Sequence, residues 1–515
     1  MAPTLLDSVP FPYYVLIAGV AGLAFSVFTA LRFFRGWQYS RKNGCKPPEH
    51  TVSHGLFGLG MVTEMLSAAK ENRFLEHVRG WHQSYGVTFK AKMIGRQVIF
   101  TVEPKNVQTV LALKFKDFEL GDYRNKAMRP LLGYGIFSTD GSKWEHSRAL
   151  IRPNFTRNQI TDINVYEVHV KALIERIPRD RSTVDMQDLF FRMTLDSATE
   201  FLFGESVHSL NDTVPLSASS FAKDFNKSQE GLALRSRLGS LMGLHYDREF
   251  SQAVINARAY VDRFVQKAID YRIALDSGNG GSQKPHELDQ QYVFLYELSK
   301  RTLNKTELTD QLLNILLAGR DTTASLLSIT FFVMARRPDI WKELRQEVLK
   351  LDGRKPSFQD LKSISYLTWV MNETLRLYPV VPINVRMANK DTHLPVGGGP
   401  EGKDPIFVPK GQEVMYSVYT MHRRQDIFGP DADEYRPERW EKLKPGWAYI
   451  PFNGGPRICI GQQFALTEAG YCIVRIMQEF EAMESRDSRP FEEALTLTLA
   501  SFNGAKVALT PVRSS

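Results

Sequence analysis

Apolar and polar positions change period several times along this chain, and the changes mark its elements. No charged residue occurs from position 8 to position 31, and the apolar run over 11–31 reaches the roughly 20 residues that cross a bilayer as a helix. Residues 87–102 alternate about Gly95-Arg96, which predicts a β-hairpin. Helical periods dominate from 144 to about 300, except for a surface loop at 277–285, SGNGGSQKP. Long apolar helices are predicted at 311–334 and 360–377. Residues 383–418, rich in Gly and Pro with short apolar runs, suit strands and turns. A further apolar helical segment covers 463–480, and 495–509 reads as a closing hairpin about Asn503-Gly504. No internal repeat or low-complexity segment occurs. The pattern predicts a mainly α chain with small β-sheets.

The first apolar run is not a good signal peptide. Asp7, not a basic cluster, precedes it, and no small-residue cleavage site follows. Arg32, Arg35, Arg41 and Lys42 lie on its C-terminal side, so the positive-inside rule puts the rest of the chain in the cytoplasm. Trp37 and Tyr39 suit the interface, and Lys46-Pro47-Pro48 stiffens the exit. The expected division is a lumenal tip and transmembrane anchor over 1–31, a basic, proline-containing linker over 32–50 and a cytoplasmic domain over 51–515.

With 515 residues, 43% of them hydrophobic, the chain can bury one large core. Its net charge of +8 is not organised as Lys/Arg blocks interleaved with aromatics, which argues against nucleic acid. An acidic redox partner or an anionic membrane surface fits better. Cys45, Cys459 and Cys472 are the three cysteines, too few for a disulfide framework if one is a ligand, so a reducing compartment is expected. The five N-x-S/T sequons read as chance matches, since Asn372 lies inside a helical pattern.

The densest chemistry lies in PFNGGPRICIG, residues 451–461. Phe452, Gly454, Arg457, Cys459 and Gly461 read F-x-x-G-x-R-x-C-x-G: glycines for a sharp turn, a guanidinium fork, and a cysteine where a helix begins. Free N–H groups and the dipole of a helix N-terminus favour a thiolate. A thiolate backed by amides, with an arginine beside it, is what a haem iron needs on its proximal side. Elsewhere, Glu373 and Arg376 share a helix face among apolar neighbours, so the pair is a candidate for burial. Gly319 costs about 1 kcal/mol in mid-helix against Ala, in the run Ala318-Gly-Arg-Asp321-Thr322-Thr323. Trp144 and Arg148 stand one turn apart.

Together these motifs resemble the cytochromes P-450, in family order over most of the chain. The resemblance implies the cytochrome P-450 fold and heme b, with Cys459 as axial ligand. It implies that Trp144, Arg148 and Arg386 contact the haem propionates, with Phe452, Arg457 and Gly461 shaping the haem loop. Glu373, Arg376 and Arg439, the last in Pro437-Glu-Arg439-Trp440, become a network bracing the core. In the family the helix holding Ala318–Thr323 opens over the haem, the threonine steadies dioxygen and the acid relays protons. Thr322 and Asp321 fall on those positions. The segments 131–137, 144–148, 292–296 and 314–325 look like the fungal microsomal group that hydroxylates n-alkanes and fatty acids.

The implied activity is insertion of one oxygen atom from O2 into a C–H bond of a lipophilic substrate, most specifically terminal hydroxylation of fatty acids or n-alkanes. A tailoring oxidase of a polyketide or terpenoid is the alternative, and a haem-thiolate isomerase or dehydratase the remote one. The Asp321–Thr322 pair speaks against the last, which needs no oxygen relay. The length leaves no room for a flavoprotein beside a haem domain, so electrons are expected from a separate NADPH-cytochrome reductase, with cytochrome b5 a further donor. Lys143, Arg423, Arg424, Lys442 and Lys444 are docking candidates, and the endoplasmic reticulum membrane is the expected location. Phe115, Ile136, Ala318, Val381, Ile383, Leu499 and Phe502 are candidate pocket walls, with Arg124, Arg129 and Arg235 as candidates for gripping a carboxylate at an entrance.

Overall fold

In the computed structural model, residues 11–155, 162–211, 216–244, 246–277 and 292–513 are described. The helices that frame the site are α1 (Phe11–Lys42), α2 (Asp122–Leu132), α3 (Gly141–Ile151), α4 (Met186–Phe203), α5 (Leu216–Leu238), α6 (Arg248–Asp276), α7 (Lys305–Met334), α8 (Phe358–Ser363), α9 (Ser365–Leu377) and α10 (Gln462–Glu479). The strands are β1 (Thr51–Val52), β2 (Thr88–Met93), β3 (Arg96–Thr101), β4 (Phe118–Glu119), β5 (Val184–Asp185), β6 (Ile383–Ala388), β7 (Thr392–Gly398), β8 (Asp404–Val408), β9 (Glu413–Ser417), β10 (Phe480–Ser485), β11 (Glu493–Leu495), β12 (Leu499–Ser501) and β13 (Lys506–Pro511).

Helix α7 is the spine. Asn304 caps it by accepting the Glu307 N–H at 3.1 Å, and Glu307 in the first turn suits the helix dipole. The C-terminal half of α7 packs with α9, α10 and the last strands in one apolar core. Its N-terminal half packs with α2, α3, α5 and α6 in a second. From Leu308 to Met334 every residue is buried except Ile315, Leu317, Ala318, Gly319 and Thr322. Positions 315, 318, 319 and 322 fall on one helical face. A helix wrapped by core on all other sides thus leaves one apolar stripe facing an internal recess.

The main sheet runs β1-β2-β3-β9-β6-β4 and carries Arg386 on β6, opposite Val414 of β9. The β2–β3 hairpin turns at Ile94-Gly95, both with positive φ, in the sense that matches strand twist. Three boundaries differ from expectation. The helix predicted over 360–377 is two helices, α8 and α9, because Ile364 takes an extended ψ of 86° between them. The closing hairpin is not formed about Asn503-Gly504. Instead β11 pairs with β12 through a turn at 496–498, and β13 leaves for β10 and β5. Gly504 makes the exit: its φ is +77° and a Cβ there would lie 2.1 Å from the Asp185 carboxylate.

The third difference is at the N-terminus. Residues 32–42, expected as linker, continue α1, since basic side chains do not break a helix and no proline occurs between Leu31 and Pro47. The helix is long and apolar enough from Val15 to cross a membrane, with its apolar side chains exposed. Its last turns rest on the β7–β8 hairpin, where Tyr39 bonds His393 at 3.0 Å and Arg32 donates to the Lys410 carbonyl at 2.6 Å. Residues 1–10, and the predicted loop beyond Ser277, lie outside the described residues.

Candidate functional site

The loop before α10 is held by close backbone approach. Gly455, at φ +67°, leaves room for the Leu111 carbonyl, which a Cβ would meet at 1.9 Å, and Gly454 lies against the Trp447 ring. The Cys459 N–H donates to the Phe452 carbonyl at 3.0 Å, and α10 starts three residues on. Gly461, by contrast, has space for a Cβ, its nearest neighbour being Phe155 at 3.8 Å. The Cys459 thiol is accessible, yet protein surrounds it at longer range, as for a group on the wall of a recess. Burial pushes the thiol above its ordinary value, against the expectation from the helix N-terminus. The Gly461 amide and the Arg148 guanidinium pull the other way.

Arginines converge beside this thiol. Arg457 pairs with Asp140 at 2.7 Å and donates to the Thr139 carbonyl at 3.1 Å. Its guanidinium lies 4.4 Å from the centre of the buried Trp144 ring, and Arg148 lies 5.7 Å from the same ring. Phe115 meets Trp144 at 5.4 Å. Arg386 donates to its neighbour's carbonyl at 2.9 Å and stands 6.0 Å from the Tyr416 ring, whose hydroxyl bonds Asn453 of the cysteine loop. Burial depresses Arg457 to about 9; Asp140 opposes this, while Arg386, Arg124 and Arg148 repel it further. Four guanidiniums, that of Arg457 included, thus cluster here, against Asp140, which pairs with Arg457, and the nearby Glu119. Asp140 and the inward turn of Arg124, which donates to the Phe137 carbonyl at 2.6 Å, were not legible in the sequence.

On α7, Thr322 is on the accessible stripe, and its hydroxyl donates to the Ala318 carbonyl at 2.6 Å. The helix is continuous here and does not open at Gly319, which has only Ala198 Cβ nearby, at 3.9 Å. Asp321 points elsewhere: it is buried and ion-paired to Arg320 at 3.0 Å. Thr323 faces the buried Glu468 of α10, whose carboxyl burial pushes up to about 7. No spacing rule marked Glu468, because its partners come from α4 and α7.

Glu373, Arg376 and Arg439 meet in full. Glu373 accepts from Arg376 at 2.9 and 2.8 Å, from Arg439 at 2.8 Å, from Trp440 at 3.0 Å and from the Arg436 N–H at 2.9 Å. Arg376 also donates to the carbonyls of His422, Ala432 and Glu434. His422 completes the cluster: the Ile450 N–H donates to its Nε2 at 3.0 Å, so Nδ1 carries the proton given to the Arg376 carbonyl. Burial first, and then Arg376, drive its pKa down to about 3. A folded pKa below the unfolded value near 6.5 means that the unfolded chain binds the extra proton. Stability from neutral His422 is therefore full above about pH 6.5 and falls as pH drops. Between pH 6.5 and 5 the loss from this one side chain should be about 2 kcal/mol in denaturant melts, and a flat profile over that range would contradict it.

The pocket candidates divide. Phe115, Ala318, Val381 and Ile383 are partly accessible and Ile136 is nearly buried. Leu499 is fully buried, its backbone tied to Val380 and Ser325, so it supports the wall without lining it. Phe502 is 58% exposed at the base of the β11–β12 hairpin, away from its tip. The tip carries Leu497, which packs against the same apolar core as Ile315 and Leu317. Of the proposed docking charges, Arg423 is buried over Tyr419 and Arg424 is paired with Glu103 and Asp426. Lys143, Lys442 and Lys444 are exposed.

An accessible thiol, an excess of buried guanidinium charge and an apolar helix stripe define a recess for a flat apolar cofactor with acidic arms. The chain belongs to the cytochrome P450 family, whose model matches residues 54–503. It is 45% identical over 501 residues to cytochrome P450 monooxygenase himC of Aspergillus japonicus, covering 96% of this chain and 89% of that one. It is 42% identical to cytochrome P450 52A13 of Debaryomyces hansenii, over 98% and 99% of the two chains. Cytochrome P450 monooxygenase fsdH of Fusarium heterosporum is 43% identical, over 93% of this chain and 85% of that one. The protein is therefore a haem-thiolate monooxygenase that takes electrons from a reductase. The residues fit that group: guanidiniums in excess over Asp140 and Glu119 suit its two propionates, and the Cys459 thiol is accessible.

Proposed function

We propose that Cys459 is the axial thiolate, with Trp144, Arg148, Arg386 and Arg457 at the propionates and Phe452 and Gly461 shaping the loop. The clustering of four guanidiniums, that of Arg457 included, in excess over Asp140 and Glu119, near an accessible thiol carries this reading. The haem, when bound, supplies activation of O2 and oxidation of an unactivated C–H bond. Cys459 would hold the iron as a thiolate, a form that burial in the protein disfavours and bound metal would favour. Glu373, Arg376 and Arg439 fix the segment leading into the cysteine loop. The α7 stripe roofs the recess and excludes water.

Thr322 offers its hydroxyl to that roof, and Asp321, which is paired with Arg320 and points elsewhere, would relay protons to it only on turning from Arg320. The hydroxyl is held by the Ala318 carbonyl and leaves it at the cost of one hydrogen bond, about 1 kcal/mol. Thr322→Ala should fold, bind haem and consume NADPH, while product per NADPH falls at least about tenfold and peroxide rises. Unchanged coupling would remove Thr322 from the reaction.

The substrate is a long aliphatic chain, fatty acid or n-alkane, oxidised at its end. The apolar residues Phe115, Ile136, Ala318, Val381 and Ile383 support this, with Leu497, at the tip of the β11–β12 hairpin, taking the place expected of Phe502. So do the segments resembling fungal alkane hydroxylases, and α1, which would hold the chain at the endoplasmic reticulum membrane where such substrates dissolve. Residues 51–515 form the cytoplasmic domain, and a reductase, or cytochrome b5, docks where Lys143, Lys442 and Lys444 are exposed. Haem spectral shifts over fatty acids, alkanes, terpenoids and polyketides test the substrate. Shifts with the first two, and in-chain oxidation after Leu497→Ala, are expected. Shifts only with a terpenoid or polyketide would replace this reading by the tailoring one.

A further inference from the structure

Asp310, Asn314, Ala318 and Thr322 follow one another at intervals of four on α7, so they form one winding row on its surface. The last two belong to the accessible stripe, while Asp310 and Asn314 are buried. What covers them is the segment 133–137, between α2 and α3. Asp310 accepts the Tyr134 N–H at 2.8 Å. Asn314 accepts the Phe137 N–H at 3.1 Å and donates to the Leu132 carbonyl at 2.8 Å. From α6, Arg258 pairs with Asp310 at 2.7 Å and donates to the Leu131 carbonyl at 2.8 Å. The backbones approach closely at two glycines. A Cβ on Gly133, at φ +53°, would lie 1.9 Å from the Asp310 carboxylate, and one on Gly135 would lie 2.0 Å from the Asn314 amide. The far end of the segment is held as well: Arg124 donates to the Phe137 carbonyl, and Asp140 pairs with Arg457.

The bonds from Asp310, Asn314 and Arg258 to 131–137 all end on backbone atoms, so the clamp places the chain without using the side chains of Ile136 and Phe137 that it carries. Buried polar groups satisfied in this way fix one arrangement, because any shift leaves a donor or acceptor unpaired. At 1.5 Å per residue, Asn314 lies about 12 Å along α7 from Thr322. We propose that Asp310 and Asn314 are positioning residues for specificity: they clamp 133–137 onto α7 as the end wall of the recess. The wall limits how far a substrate advances past Thr322. A chain stopped there is oxidised at its end, and one that slides on is oxidised within. The wall stands on the geometry alone, whereas its effect on a chain rests on the aliphatic-substrate reading.

Asp310→Asn removes the charge that holds Arg258, and Gly135→Ala sets a methyl group against the Asn314 amide, so both should loosen the wall. The readout is the affinity of the haem-loaded protein for 1-adamantylimidazole relative to imidazole, taken from the haem spectrum. That ratio should rise roughly tenfold in each variant, the worth of one to two methylenes of added contact. Hydroxylation of dodecanoic acid should spread from the terminal carbon to in-chain carbons in the same variants. Gly135→Ala/Asn314→Ala should match Asn314→Ala alone, because the methyl then has no amide to meet. Gly135→Ala and Asn314→Ala carry the test if Asp310→Asn does not accumulate. A merely structural clamp would lower the melting temperature and leave the affinity ratio and the product positions as in the parent, and that result would overturn the proposal. If the ratio rises but the parent neither binds nor oxidises a fatty acid or alkane, the substrate reading fails and the wall stands. If the parent oxidises dodecanoic acid at its end and the variants change neither ratio nor position, only the proposal fails.

Discussion

Glu373→Leu should yield no folded, haem-loaded protein. Glu373 accepts from Arg376, Arg439, Trp440 and the Arg436 amide, and both it and Arg376 are 0% exposed. Leucine removes the charge, leaving Arg376 with backbone carbonyls alone and Arg439 with carbonyls and the Asp431 carboxylate at 3.4 Å. Breaking one buried pair by removing one partner costs about 3–5 kcal/mol. Here two pairs lose the same partner, against a total stability of about 5–15 kcal/mol. Glu373→Gln keeps some hydrogen bonds but no charge, and should give low yield and a lowered melting temperature. Soluble yield, haem content and thermal melts check this. A Glu373→Leu protein melting with the parent would show that the network does not brace the core.

Cys459→Ser should have the opposite signature, an intact fold with lost chemistry. The cysteine loop is fixed by Gly454, Gly455 and the Cys459 N–H bond to Phe452, none of which involves sulfur. Serine preserves all three. What it cannot supply is a soft, electron-rich ligand, so haem retained by the arginines would lose the thiolate push that favours O–O cleavage. Substrate oxidation should vanish while the helical content and melting behaviour of the apoprotein stay near those of the parent.

These two residues were legible in the sequence because their chemistry restricts the residue type at a local spacing. A carboxylate and guanidinium three apart among apolar residues, or a cysteine flanked by glycine and arginine before a helix, say what they do within a dozen positions. What was hidden depends on distant partners. Asp140 meets Arg457 across 317 residues, and four arginines form one cluster only when α2, α3, β6 and the cysteine loop converge. Helical spacing separates the face of Thr322 from that of Asp321, but says nothing of Arg320 reaching Asn226 on another helix. Phe502 was misplaced because an Asn-Gly pair looks like a hairpin tip, whereas Gly504 passes the chain from one sheet to another beside Asp185.

The most direct measurement is the carbon monoxide difference spectrum of the reduced protein, parent beside Cys459→Ser. The parent should show the red-shifted Soret band of thiolate-ligated haem, and the variant should bind haem without it. A Cys459→Ser protein that kept that band would show that the ligand lies elsewhere.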